Sequence, residues 1–184
     1  LGKVVVDSNL LPFRITIHMI MAFVILAILI YLLFLTKEQR NSKKAPLSFK
    51  SILILSILLT LAQVALGTQV RQHVDEQLKM FGELAKSEWL RVPTLTFYIH
   101  RSLSILVVLV NGWLFFQHKK LQLKLDNLNW VLFLVGLEAF SGIIMYYFDF
   151  PFLSQPIHLV VASLLFGIQF FLILKVFKNK KTKI

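Results

Sequence analysis

Three histidines stand at the same end of three long apolar runs. His18 precedes MIMAFVILAILIYLLFL, His100-Arg101 precedes SLSILVVLVNGWLFF, and His158 precedes LVVASLLFGIQFFLIL. Each run ends 16 or 17 residues after its histidine. As helices, all three hold an imidazole at one level, roughly 24 Å from the opposite boundary at about 1.5 Å per residue. A polar, metal-binding side chain repeated at one depth of a membrane bundle is expensive and marks a site in use. Two neutral imidazoles on facing helices can bind haem iron from opposite sides, filling both axial positions and favouring electron transfer over oxygen chemistry. A site that handles oxygen must instead free an axial position or work at the macrocycle edge. The chemistry to expect is haem ligation near one membrane face; packing or proton-relay histidines in a cofactor-free bundle are the alternative.

The polar residues around these histidines suit the same purpose. Arg14 lies one turn before His18, Arg101 adjoins His100, and Arg71 ends the second apolar run. Each can pair with a haem propionate as a bidentate donor or snorkel to lipid headgroups. Glu138 falls in the middle of an apolar run, where an acid normally pairs or relays protons. Gln63 occupies the corresponding place in an internal repeat described below, which favours a neutral, hydrogen-bonding role for Glu138. His73 and His118 lie beside charges in the connections and receive no role.

The elements that must position these groups are membrane spans. With 57% apolar residues, 17 Phe and a mean hydropathy of +0.74, the chain is too apolar for a soluble domain of this size. Five spans follow, Leu11–Leu35, Ser48–Thr68, Leu95–Phe116, Leu128–Phe148 and Ile157–Val176, each near the ~20 residues that a bilayer core demands. The net charge of +11 is not a nucleic-acid footprint, because it alternates between loops. Thirteen of the 20 Lys and Arg lie in Lys37–Lys50, Lys119–Lys124 and Lys175–Lys183. The positive-inside rule puts these loops in the cytoplasm and the histidines near the outer face. The absence of cysteine excludes disulfides, thiolate ligation and iron–sulfur clusters.

One connection is long. Gln69–Pro93 reads as an external amphipathic helix, with Val70, Val74, Leu78, Phe81, Leu84 and Trp89 opposite Asp75, Glu76, Lys79, Glu83 and Lys86. It can lie on the lipid surface as a connector or cover a cofactor edge as a lid. The Phe148–Phe152 turn closes the other outer connection. A weak internal repeat joins the spans. Ile17-His18 with Ala22 matches Ile157-His158 with Ala162, and Ala27 then falls with Gly167. Gln63-x-x-x-Gly67 likewise matches Glu138-x-x-x-Gly142. Small residues at such spacings let helices approach closely in lipid. The first span then closes one repeat unit (residues 1–35). Residues 36–47 are a cytoplasmic linker, and 48–184 form a complete second unit. With Leu1 in place of an initiator Met, the chain reads as the C-terminal part of a longer membrane protein. The expected fold is an all-α polytopic membrane protein of five transmembrane helices, the last four forming one four-helix haem-binding bundle.

In their order, Ile17-His18-Met19, Gly67-Thr68-Gln69-Val70-Arg71, His100-Arg101, Glu138-Ala139-Phe140-Ser141-Gly142 and Gln155-Pro156-Ile157-His158 resemble haem A synthase. That family is built of two similar four-helix halves, and the resemblance covers essentially the whole chain. It implies that His100 and His158 are the axial ligands of a haem b in the C-terminal half. It also implies that His18 is one of two histidines serving the substrate, haem O, in the N-terminal half. The implied activity is oxidation of the haem O C8 methyl to a formyl group through hydroxylated intermediates, for cytochrome oxidase assembly, with haem b transferring electrons. Implied partners are haem O, haem O synthase, an unidentified electron donor and the lipid bilayer of a bacterial plasma membrane; a homo-oligomer is compatible. The chain lacks the external-loop cysteine pairs of some relatives, so the resemblance does not extend to a thiol-linked reduction step. A bis-histidine b-type cytochrome carrier and a cofactor-free assembly or transport subunit are the alternatives.

Overall fold

The computed structural model describes residues 12–36 and 44–178. Five helices long and apolar enough to cross a membrane account for most of them. They are α1 (Pro12–Thr36), α2 (Leu47–Phe81), α3 (Leu95–Leu121), α4 (Asn127–Tyr147) and α5 (Ser154–Phe177), with a short 3₁₀ helix at Glu83–Glu88. The ends of α1, α3, α4 and α5 agree with the expected spans to within a few residues.

Helices α2 to α5 form a ring in which each packs on the next and α5 returns to α2, while the backbones of the diagonal pairs stay apart. Helix α1 lies outside this ring, against α2 and α5. The core of the bundle is aliphatic, with Leu53, Leu114, Leu128, Val131 and Leu172 almost wholly enclosed. The outward faces carry Ile25, Leu29, Leu33, Leu109, Phe133 and Leu164 in exposed positions, which is the pattern of a bundle solvated by lipid. Helix α1 docks through Phe23, whose ring stacks on Phe166 at 4.8 Å, and through a 2.6 Å hydrogen bond between the Thr16 and Thr68 hydroxyls. A Cβ at Gly167 would approach Ile30 Cδ1 to 3.1 Å, so glycine permits the close passage of α1 over α5.

The long connection differs from its expected form. Helix α2 does not end near Thr68 but continues unbroken to Phe81, 35 residues in all. At about 1.5 Å per residue it outruns a ~30 Å hydrocarbon core by roughly 20 Å. Two helical pairs support the extension, Arg71 Nε with Asp75 at 3.1 Å and Gln72 Nε2 with Glu76 at 2.8 Å. It stops at Gly82, whose φ of +79° suits glycine, rather than at Pro93. The chain then folds back. Trp89 is buried and donates its indole N–H to the Gly82 carbonyl at 3.3 Å. Lys86 Nζ donates to the Phe150 carbonyl at 3.2 Å, and the Trp89 ring meets Phe150 at 5.6 Å. The connection is therefore a strap tied to the α4–α5 turn, not one helix resting on lipid. Leu84, expected on its apolar stripe, is fully exposed because the helix has already ended.

A buried polar cluster crosses the ring. Ser56 Oγ donates to Asn111 Oδ1 at 2.7 Å, and Gln169 Nε2 donates to Ser56 Oγ at 2.8 Å, joining α2, α3 and α5. All three side chains are within 1% of complete burial. Asn111→Ala removes the shared acceptor and strands its partners, at a cost of about 1–3 kcal/mol. A lowered midpoint in SDS-induced unfolding of the purified protein checks this, and an unchanged midpoint counts against it.

Candidate functional site

Each of the three histidines begins its helix within two turns, His18 on α1, His100 on α3 and His158 on α5. The third helix is started by Thr94, whose side chain accepts the Phe97 amide at 3.3 Å after Pro93 has turned the chain. The turn before α5 is tight. Asp149, Phe150 and Leu153 all adopt positive φ near +50° to +64°, which folds Phe150 back onto Trp89 and brings His158 level with His100.

The bundle brings two of the histidines together. His100 and His158 line one cavity of about 220 Å³ at the histidine end of the ring. Because α3 and α5 are diagonal, the cavity lies between them, walled by α2 and α4. Its remaining lining includes Phe97, Arg101, Ser104, Ile143, Tyr146 and Ala162. The Phe97 and Tyr146 rings stack on each other at 5.5 Å within this lining. Arg101 lies over the Tyr146 ring, its guanidinium carbon 5.4 Å from the centroid. His18 is elsewhere, exposed on α1 and apart from this cavity.

The repeat seen in the sequence has a spatial meaning. Gly67 on α2 faces His100, where a Cβ would come within 3.4 Å of the imidazole Cε1. Gly142 on α4 faces His158 in the same way, with a Cβ reaching 4.0 Å from Cε1. Each imidazole thus packs beside a helical glycine, at a distance where a Cβ would make ordinary contact with the ring. Gln63 Nε2 donates to the His100 carbonyl at 3.1 Å, and Glu138 Oε2 lies 2.9 Å from His158 Nδ1. Glu138 is therefore an immediate neighbour of a cavity histidine, a contact the repeat with Gln63 did not foretell. Ser141, also unforeseen, sits one turn beyond Glu138 and places Oγ 2.7 Å from the same Nδ1. Its signal was a hydroxyl at i+3 from an intramembrane acid.

The arginines separate. Arg101 lines the cavity, whereas Arg71 is half-exposed and paired with Asp75 on the projecting part of α2. Arg14 is exposed on α1. For an acidic ligand group at the cavity mouth, Arg101 is the available donor, and Arg71 must first exchange its carboxylate partner.

Fold and site define a polytopic membrane protein with a bis-histidine cavity inside a four-helix bundle. The chain belongs to the cytochrome oxidase assembly protein family COX15-CtaA, which it matches over residues 1–170. No curated protein and no solved structure matches it significantly.

Proposed function

We propose that the protein is part of a haem A synthase, whose α2–α5 bundle holds a low-spin haem b between His100 and His158 while the enzyme oxidises the C8 methyl of haem O. The observation that carries this reading is the convergence of two imidazoles from diagonal helices on one cavity, each backed by a glycine. The residues present suit the group. His100 Nδ1 and Gln63 Oε1 are buried without partners among the described residues. Phe97 and Tyr146 contribute apolar ring surface to the cavity lining, and a glycine lies beside each of the two imidazoles. When bound, haem b supplies one-electron transfer.

The chain's own residues do the rest. The packed ring holds both imidazoles at one level and excludes water from the cavity floor through Thr60, Val107 and Leu165. Arg101 neutralises propionate charge at the mouth, held in place by the Tyr146 face. His18, on the outer helix, serves haem O together with groups from a further repeat unit. The basic loops face the cytoplasm of a bacterial plasma membrane.

Two measurements test the reading. The purified protein is expected to show the absorption bands of bis-histidine haem b, and membranes containing the complete polypeptide are expected to convert haem O to haem A. Absent bands leave a cofactor-free subunit, and bands without conversion leave an electron carrier. Within this reading, Arg101→Gln removes a charge-assisted contact of about 1.5–3 kcal/mol, so haem affinity should fall about tenfold or more. Arg71→Gln should change it less, because that side chain is already engaged by Asp75. Equal affinities for Arg101→Gln and the parent would leave Arg101 as a helix anchor alone.

A further inference from the structure

The two cavity histidines have unequal surroundings. His158 Nδ1 lies 2.7 Å from Ser141 Oγ and 2.9 Å from Glu138 Oε2. Ser141 Oγ also lies 2.9 Å from the Glu138 backbone carbonyl, to which it can donate its single proton. With Ser141 donating to that carbonyl and Glu138 accepting, the hydrogen between these groups belongs to the histidine, shared from Nδ1 between two oxygens. That leaves Nε2 with the free lone pair that an iron ligand needs. On the other side, His100 Nδ1 has no partner among the described residues. Gln63 stands in α2 where Glu138 stands in α4, and it is turned to the His100 backbone instead. Leu66 stands where the repeat has Ser141, so no hydroxyl is available there.

We infer that Glu138 is a positioning residue for the cavity haem, which acts through His158 Nδ1 to fix the ring tautomer and strengthen Nε2 as a donor. The inference rests on the haem b reading above. His158 then becomes the strong axial ligand and His100 the weak one. A carboxylate behind a ligating imidazole raises its basicity, and removing such a partner typically changes metal affinity or activity ten- to hundredfold. A more basic imidazole favours ferric over ferrous iron, so Glu138 lowers the reduction potential. The repeat makes the contrast internal to one molecule, because the same helix position carries an acid in one half of the bundle and an amide in the other.

The test is potentiometry of the haem-loaded protein beside its Glu138→Gln variant, which keeps the size of the side chain and removes its charge. The variant should retain the bis-histidine spectrum while its potential rises, by about 59 mV for each tenfold loss of ferric preference. A role confined to packing predicts the same potential in both, and that result overturns the inference. Nitrogen-15 spectra of the haem-free, histidine-labelled protein give a second reading that needs no cofactor. His158 should carry its hydrogen on Nδ1 with Nε2 bare, and a hydrogen on Nε2 alone overturns the inference even if Glu138→Gln fails to hold haem. Should the parent itself bind no haem b, the haem reading fails, and the nitrogen spectra still decide whether Glu138 sets the tautomer.

Discussion

Replacing either His100 or His158 by alanine is expected to abolish the bis-histidine haem spectrum, because each deletes one of only two imidazoles that line the cavity. The loss should be near complete rather than graded. Bis-histidine ligation would need both imidazoles, and alanine at either position removes the one on its side of the cavity. The controls are His73→Ala and His118→Ala. His73 lies on the projecting end of α2, beyond the cavity lining. His118 is buried, but at the opposite end of α3, some 18 residues or roughly 27 Å from His100. Its removal opens a small void near the basic loops and should cost stability without touching the spectrum. Absorption and low-temperature spectra of the four purified variants check this. Unchanged bands in His100→Ala and His158→Ala would remove the cavity from consideration as a haem site.

The second expected result separates the two kinds of histidine. In the complete polypeptide, His18→Ala should stop conversion of haem O to haem A while sparing the haem b bands. His18 is exposed on α1, outside the ring, and takes no part in the cavity lining. Docking of α1 depends on Phe23, Gly167 and the Thr16–Thr68 contact, none of which involves His18. The substitution should therefore leave the fold intact, and lost conversion then reports on the reacting geometry rather than on assembly. Pigment extraction and chromatography of haems from membranes check the outcome. Undiminished haem A in His18→Ala would place the substrate in the α2–α5 bundle, and loss of the haem b bands would tie His18 to that cavity instead.

Much of this molecule was legible in its residues. The span lengths follow from apolar runs of about twenty residues, since a lone apolar run crossing lipid must close its backbone bonds within itself, as a helix does. The common level of His18, His100 and His158 follows from counting along those helices. The pairing of Gln63 with Glu138, and of Gly67 with Gly142, was visible as spacing alone. Periodicity also misled in one place. The stripe from Val70 to Trp89 has helical spacing but spans a glycine whose φ of +79° ends the helix. A stripe cannot tell one long helix from a helix followed by a strap, and only the contacts of Trp89 and Lys86 with the α4–α5 turn distinguish them.

By itself the sequence determined the class of object, the placement of its histidines in the first two turns of their helices and the repeated glycines, because hydropathy and helical rise act along one chain and need no partner. The tertiary structure alone decided which histidines share a cavity. His18, His100 and His158 are alike in their place along their helices, and the ring of α2 to α5 separates the last two from the first by leaving α1 outside. It also decided what Glu138 does. The repeat made Glu138 the counterpart of a neutral Gln63, yet the rotation of α4 against α5 brings the carboxylate to His158 Nδ1, whereas Gln63 turns to the backbone of α3. Which side chains meet across helices depends on the azimuth of each helix, and azimuth is set by packing of the whole ring rather than by any single span.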